Sequence, residues 1–160
     1  MIKLSDLLKE NFDLIDKLES WLDTGDFSSN EEISDNVANY LEENGYDGNG
    51  TIYRVLFLSN DEFPIGDSKF LKDFILRSDN KKYKSFCKNY SGVKYIIDNY
   101  SEFEDHTIIF KQNSNYFDLL EWFEDNIDKI DLENDIFGEI ENTQEVVAKV
   151  NSSLQIVKII

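Results

Sequence analysis

Cysteine, proline and histidine are almost absent from this chain. One Cys, one Pro and one His occur in 160 residues. The single cysteine, Cys87, excludes an internal disulfide framework and predicts a reducing, cytoplasmic environment. With so few Cys and His residues, the spacing typical of a zinc site is missing as well, so we expect no bound metal.

Long apolar runs and a basic leader are also lacking. No stretch approaches the ~20 apolar residues that cross a bilayer, and the N-terminus shows no basic segment followed by an apolar one, so no signal peptide is expected. The sequence has no Gly/Ser linker, low-complexity tract or internal repeat. We therefore expect one soluble domain over residues 1–160, with no membrane partner.

Positive charge is scarce. The chain carries 33 acidic and 16 basic residues, for a net charge of -17. This charge repels phosphate backbones and anionic lipids, so direct nucleic-acid binding is not expected and a basic protein partner is easier to accommodate. The simpler interpretation is a solvated acidic surface that aids solubility. Hydrophobic residues at 41% and aromatics at 14% predict a folded core rather than a disordered tail.

The hydrophobic periodicity predicts helices first and strands later, which is an α+β fold. Apolar residues recur at helical spacing before Gly25, and Ser29 with Glu32 forms a capping-box pattern for a second helix that ends at Gly45. Residues 1–45 are thus the predicted helical part, and residues 51–160 are the predicted sheet-rich core. Strands are predicted over 51–58, 83–87, 106–111, 145–150 and 154–160, the last two as a hairpin, and helices over 68–77, from a Ser91 cap to Tyr100, and after an Asp118 cap.

Two short patterns look like sites but lack essential groups. Residues 47–52 (DGNGTI) resemble the middle of a calcium loop, yet its first and twelfth ligand positions would be Gly45 and Leu56, so a plain turn is expected. Cys87 and His106 permit the idea of thiol catalysis, but nothing in the sequence brings them together. Structural roles are expected for both.

Arg54 lies in the apolar strand over 51–58, where alternation puts it on the side of Ile52 and Leu56. A guanidinium on such a face needs a partner because an unpaired buried charge is costly. A carboxylate is the simpler partner, and the local sequence favours it. The alternative partner is a phosphate, which the planar guanidinium binds with two parallel hydrogen bonds. Ser85 and Glu145 are equally open, each being either an ordinary strand residue or part of a cleft.

Three segments, taken in order and setting, resemble the ADP-ribosyltransferases of the Arg-Ser-Glu class, especially small phage and bacterial toxin-like ones. That family has helices, then a strand with Tyr-Arg-Gly, then Ser-aromatic-Ser/Thr before a helix, then an acidic motif followed by Val. The corresponding segments here are Tyr53-Arg54-Val55, Ser85-Phe86-Cys87 and Thr143-Gln144-Glu145-Val146-Val147, and the resemblance spans about residues 4–160.

The resemblance implies two packed, mostly antiparallel sheets around a cleft for nicotinamide adenine dinucleotide (NAD), with helices on the N-terminal side. It implies that Arg54 holds the NAD phosphates, that Ser85 braces the cleft and positions the catalytic carboxylate, and that Glu145 stabilises positive charge as the glycosidic bond breaks. The implied activity is mono-ADP-ribosylation of a protein, in the host cytoplasm if the chain is phage-encoded, with NAD as the substrate.

Three departures from the family pattern leave alternatives open. Val55 replaces the glycine after the arginine, Cys87 replaces the third residue of the serine motif, and Thr143 stands where Glu or Gln is usual. The acceptor residue is therefore open, as is a degenerate site that binds without catalysing. Two other functions remain: an acidic, non-catalytic inhibitor that mimics nucleic acid or blocks a basic host protein, and an NAD glycohydrolase on the same scaffold.

Overall fold

The computed structural model describes residues 2–3, 35–61, 68–79, 83–100, 105–126, 130–131 and 136–160. The predicted first helix and the capping box at Ser29 and Glu32 lie outside these residues. Within the described ranges, no helix is long and apolar enough to cross a membrane. In chain order the elements are β1 (Ile2–Lys3), α1 (Asp35–Glu43), β2 (Asp47–Leu58), α2 (Ser68–Asp79), β3 (Tyr83–Cys87), α3 (Tyr90–Tyr100), β4 (His106–Phe117), α4 (Leu119–Asn126), β5 (Ile130–Asp131), α5 (Ile136–Thr143), β6 (Glu145–Lys149) and β7 (Gln155–Ile159).

The fold is α+β, and its main sheet has five antiparallel strands in the order β2-β3-β6-β4-β7. An additional pairing of β2 with β4 runs along both strands, each of 12 residues. Strands β3 and β6 form a shorter ladder, and single pairings connect it to the long one, Tyr53 with Cys87 and Phe117 with Val147. The sheet therefore consists of two ladders joined at two points. Strands β1 and β5 form a separate parallel pair.

The predicted hairpin between the last two strands was wrong, although both strands and the turn between them are present. β6 and β7 both pair with the same neighbour, β4, where Phe117 faces Val147 and Lys111 faces Gln155. The chain thus runs along one edge of β4 as an interrupted strand. At the interruption it turns, with the Leu154 amide bonded to the Asn151 carbonyl at 3.2 Å.

The glycine-rich segment before residue 51 was predicted as a turn and is instead the first part of β2. Its residues pair in register with the end of β4, Gly48 opposite Tyr116 and Asn49 opposite Asn115. The ring of Tyr116 packs so closely over Gly48 that a Cβ there would lie 2.7 Å from it. Cross-strand pairing keeps this segment extended despite its glycines, so no calcium loop forms there.

The core lies on both faces of the sheet. On one face Ile52, Leu56 and Phe86 pack with Leu71 and Ile75 of helix α2. On the other face the residues of alternate parity pack with helix α3; the buried members are Val55, Phe57, Cys87, Val93, Ile96 and Ile109. Since successive strand residues point to opposite faces, this double burial explains why the second half of β2, residues 52–58, is apolar except for Arg54.

Helix ends were predicted with mixed success. Gly45 follows α1 with φ of 81°, and its amide bonds to the Glu42 carbonyl at 3.0 Å, so the predicted C-cap is confirmed. The cap of α3 is Asn89 rather than Ser91, because the Asn89 side-chain oxygen accepts from the Ser91 amide at 3.0 Å. Helix α5 was not predicted at all.

Asp118 caps α4 as predicted and is the basis of a stability prediction. Its Oδ1 accepts from the Glu121 amide at 3.0 Å, and its Oδ2 pairs with Lys88 Nζ at 2.7 Å. Asp118→Ala should lower the free energy of unfolding by about 1–2 kcal/mol, mostly through the lost cap because Lys88 is largely exposed. Urea unfolding measures this, with Glu124→Ala at an exposed position of α4 as the control. Equal losses in both variants would contradict the prediction.

Candidate functional site

Arg54 is the most deeply buried cation of the described core, with 2% of its surface exposed. It lies on β2 on the face that carries Ile52 and Leu56, as alternation predicted. Its Nη1 donates a hydrogen bond to the main-chain carbonyl of Ser85 at 2.9 Å. This bond crosses from β2 to β3 beside the single pairing of the two strands, so Arg54 ties the two ladders of the sheet together.

Ser85 and Glu145 lie on adjacent strands. In the β3–β6 register, Ser85 faces Val147 and Cys87 faces Glu145. Ser85 and Glu145 are therefore diagonal neighbours on one face, about 7 Å apart between Cβ atoms. Both are enclosed, with 7% and 2% of their surfaces exposed. All three residues of the predicted site thus lie on neighbouring strands, but not on one face. Ser85 and Glu145 share the face of Cys87, whereas Arg54 belongs to the opposite face and contacts β3 through the main-chain carbonyl of Ser85.

The segment before Glu145 sets the direction of its carboxylate. The fully buried Thr143 ends helix α5, and its hydroxyl lies 3.4 Å from Oε2 of Glu145. Gln144 then takes a left-handed conformation with φ of 54°, which turns the chain from helix into strand. Its carbonyl accepts from the Lys88 amide at 2.7 Å, and its side-chain oxygen accepts from Asn89 at 2.9 Å. The turn is thereby fastened to the segment that follows β3.

Helix α3 closes over this turn through a glycine. A Cβ built on Gly92 would lie 2.2 Å from the Thr143 carbonyl oxygen and 3.0 Å from Cβ of Cys87. Any side chain at this position would therefore collide with main-chain atoms next to Glu145. Only glycine allows the helix to approach the end of α5 so closely.

Cys87 reports the electrostatics of the site. Burial raises the pKa of its thiol well above the ordinary value, the Glu145 carboxylate raises this pKa further, and the Arg54 guanidinium lowers it. One sulfur therefore lies within the field of both charges. A neutral, buried thiol is a poor nucleophile, which fits the structural role expected for Cys87.

The buried thiol makes stability dependent on alkaline pH. Above the ordinary pKa of 9.0, the unfolded chain releases the Cys87 proton while the folded chain keeps it. Stability is thus intact below that pH and falls by about 1.4 kcal/mol for each pH unit above it. Urea unfolding from about pH 8 to pH 10 should show this slope in the wild type relative to Cys87→Ala. Parallel pH profiles for the two proteins would be the contrary result.

His106 lies away from this site. His106 faces Leu58 on β2 while Cys87 faces Tyr53, which separates the two by about 17 Å along the strand. His106 instead contacts Asn60 through Nε2 at 2.7 Å. The described residues contain no group of His, Cys, Asp and Glu that could hold a metal ion.

Several residues around the site carried no sequence signal for it. Tyr90 forms an edge-to-face pair with Tyr53, with ring centroids 5.5 Å apart, and both rings are half-buried beside Cys87. Gly92 and Gln144 act through main-chain geometry. A glycine in a helix and a glutamine in a turn have no pattern that predicts such contacts, so only the folded chain reveals them.

Comparisons with known proteins add no family to this geometry. The sequence matches no protein family, and neither a curated protein nor a solved structure matches the chain significantly. The functional argument therefore depends on the residues of the site.

Proposed function

We propose that this chain is a mono-ADP-ribosyltransferase that transfers ADP-ribose from NAD to a protein acceptor. The observation that carries the proposal is the hydrogen bond from Arg54 to the Ser85 carbonyl, beside the ladder in which Ser85 and Glu145 are diagonal neighbours. Segments 31 and 60 residues apart along the chain thus contribute one cation, one hydroxyl and one carboxylate to adjoining strands. These are the residue types that the sequence resemblance requires, with Ser85 and Glu145 on one face of the sheet and Arg54 on the other.

The chemistry assigned to these groups is the departure of nicotinamide. The bond from the ribose carbon to the nicotinamide nitrogen breaks, and its electron pair leaves with nicotinamide, so positive charge develops on the sugar. The Glu145 carboxylate stabilises that charge from a fixed position in a water-poor site. The acceptor side chain then attacks the ribose carbon and releases a proton. Arg54 offsets the charge of the two NAD phosphates against the negative field of the protein.

The geometry also sets a condition on binding. Arg54 and Glu145 are each 2% exposed and lie on opposite faces of the sheet, so NAD reaches both only when β2 and β3 move apart where the Arg54 hydrogen bond joins them. The half-buried rings of Tyr53 and Tyr90 lie beside Cys87 at the margin of this region. Their separation would provide an aromatic surface on which a nicotinamide or adenine ring can stack. The proposal thus includes an opening step before chemistry.

The test is incubation of the purified chain with a bacterial lysate and NAD radiolabelled on its adenylate phosphate. Two products are followed: label attached to protein and free nicotinamide. Label on a discrete protein together with nicotinamide release supports the transferase. Nicotinamide release without labelled protein identifies an NAD glycohydrolase instead. Absence of both products in lysates that support a known transferase rejects catalysis.

The exposure of the carboxylates favours a second candidate function, the acidic non-catalytic inhibitor. Apart from the buried Asp118 and Glu145, the carboxylates whose exposure is described are exposed; examples are Glu42, Glu43, Asp47, Asp61, Asp98, Asp105, Glu121 and Glu124. Such a surface attracts a basic partner through a field that salt screens. This candidate predicts salt-sensitive capture of a basic protein that persists in Arg54→Ala. Loss of capture in that variant, at unchanged fold, favours the enzyme.

A further inference from the structure

A polar cavity lies away from the Arg54 site, at the interruption between β6 and β7. Its volume is about 390 Å³, and it is bounded by β2, β4, helix α2 and the turn after β6. This volume is near the lower end of small-molecule sites, about 300–1,000 Å³. None of its lining residues belongs to the Arg54, Ser85 and Glu145 set, so the proposed transferase does not use it.

The residues that line the cavity are basic or neutral, whereas the chain as a whole is strongly acidic. Acidic residues make up 33 of 160 positions, yet the lining residues that the structure describes are two lysines, three hydroxyl side chains and three carboxamides, none of them a carboxylate. The lysines are Lys72 of α2 and Lys111 of β4, both half-buried. Among the described residues, neither lysine forms an ion pair with a carboxylate. In a protein of charge -17 this is a local concentration of positive charge.

The floor of the cavity is held rigidly. Gln112 is 1% exposed, and its amide is engaged at both ends: Nε2 donates to the Lys149 carbonyl at 2.8 Å, and Oε1 accepts from the Asn151 amide at 3.1 Å. The Ser153 hydroxyl accepts from the Asn113 amide at 3.1 Å. The turn after β6 is thereby fixed to β4. Because this floor is already ordered, the protein loses less conformational entropy when a ligand binds.

We propose that this cavity binds a small sugar phosphate. Two ammonium groups on one cavity bind phosphate oxygens as point charges. The hydroxyl and carboxamide groups of residues such as Thr51, Asn113 and Ser153 suit hydrogen bonds to sugar hydroxyls. None of the described residues that line the cavity is aromatic or aliphatic, so a nucleobase would gain little by burial against them. The chemistry therefore selects a phosphorylated polyol over a nucleotide.

The test is titration of the full chain with glucose 6-phosphate, glucose, inorganic phosphate and AMP, followed by calorimetry and by amide NMR shifts. Glucose 6-phosphate should bind most tightly and should shift the amides of Thr51, Asn113 and Ser153. Lys72→Gln with Lys111→Gln should weaken its binding about 100-fold, because two charge-assisted contacts are lost. Lys94→Gln with Lys158→Gln, the same charge change at exposed positions outside the cavity, should leave it unchanged.

The competing outcomes are separable. Equal affinity for inorganic phosphate or for glucose overturns the sugar-phosphate assignment, as does tighter binding of AMP. Absence of a saturable response at millimolar concentration, or an unchanged affinity in the double Lys72 and Lys111 variant, overturns the site itself. Glu145→Gln should bind glucose 6-phosphate like the wild type, so failure of the proposed transferase and failure of this cavity site give different results.

Discussion

Glu145→Gln is expected to lower the rate of ADP-ribosyl transfer by about 100- to 1,000-fold while NAD binding persists. That range is typical when one preorganised electrostatic contact to a transition state is removed. Glutamine keeps the shape of the side chain and its place opposite Cys87, but it cannot offset the positive charge that develops on the ribose. The measurement is the initial rate of label transfer from NAD to protein, with NAD affinity determined by calorimetry.

The matched control is Glu141→Gln, which makes the same change of charge at an exposed position of helix α5, four residues earlier. Its transfer rate should equal that of the wild type. Circular dichroism and urea unfolding of both variants exclude loss of fold as the cause. Equal transfer by Glu145→Gln and the wild type would remove Glu145 from the mechanism, and loss of NAD affinity in parallel with rate would assign it to binding alone.

Strand positions were predictable because their signals are local. The segment over 51–58 is rich in β-branched and aromatic residues, the segment over 83–87 carries two aromatic residues, and both are strands in the structure. Strand pairing was less predictable because it depends on residues far apart in the sequence. The hairpin expectation failed for this reason: one edge of β4 pairs with β2, and the other edge offers partners to both β6 and β7.

Helix α5 shows why some local structure had no local signal. Its eight residues, IFGEIENT, include Gly138, two β-branched isoleucines and a threonine, all weak helix formers. The helix is stabilised by packing instead, since Ile140 and Thr143 are fully buried. Tertiary contact overrides propensity here, and a short helix of this kind is not detectable from the sequence alone.

The candidate site was predicted unevenly for a similar reason. Alternation alone indicated that Arg54 lies on an apolar face, and its burial is confirmed. The partner shown for its Nη1 is a main-chain carbonyl, that of Ser85. Every residue has such a carbonyl, so no side-chain pattern distinguishes it. Arg54 and Glu145 lie near Cys87 because their strands pair with β3. No local sequence pattern predicts that pairing, and only the resemblance of the three motifs to the ADP-ribosyltransferases indicated it.

Gly92→Ala is expected to lower the free energy of unfolding by about 2–3 kcal/mol, near the upper end of the cost of overpacking a core. Alanine normally stabilises a helix relative to glycine by about 1 kcal/mol. A gain in the free energy of unfolding would therefore indicate helix propensity, and a loss would indicate the steric collision. The added Cβ would lie 2.2 Å from the Thr143 carbonyl oxygen, which is main chain and cannot rotate away. Helix α3 or the end of α5 must therefore move. Urea unfolding measures the loss.

The comparison that isolates this contact is Gly48→Ala. Its Cβ would also meet atoms at 2.7 Å, but these belong to the side chain of Tyr116, which can rotate. We expect a clearly smaller loss of stability there. Because Thr143 lies two residues before Glu145, Gly92→Ala should also reduce transfer at temperatures where the variant is fully folded, whereas Gly48→Ala should not. A stabilised Gly92→Ala, or equal losses in the two variants, would show that α3 does not hold the carboxylate in place.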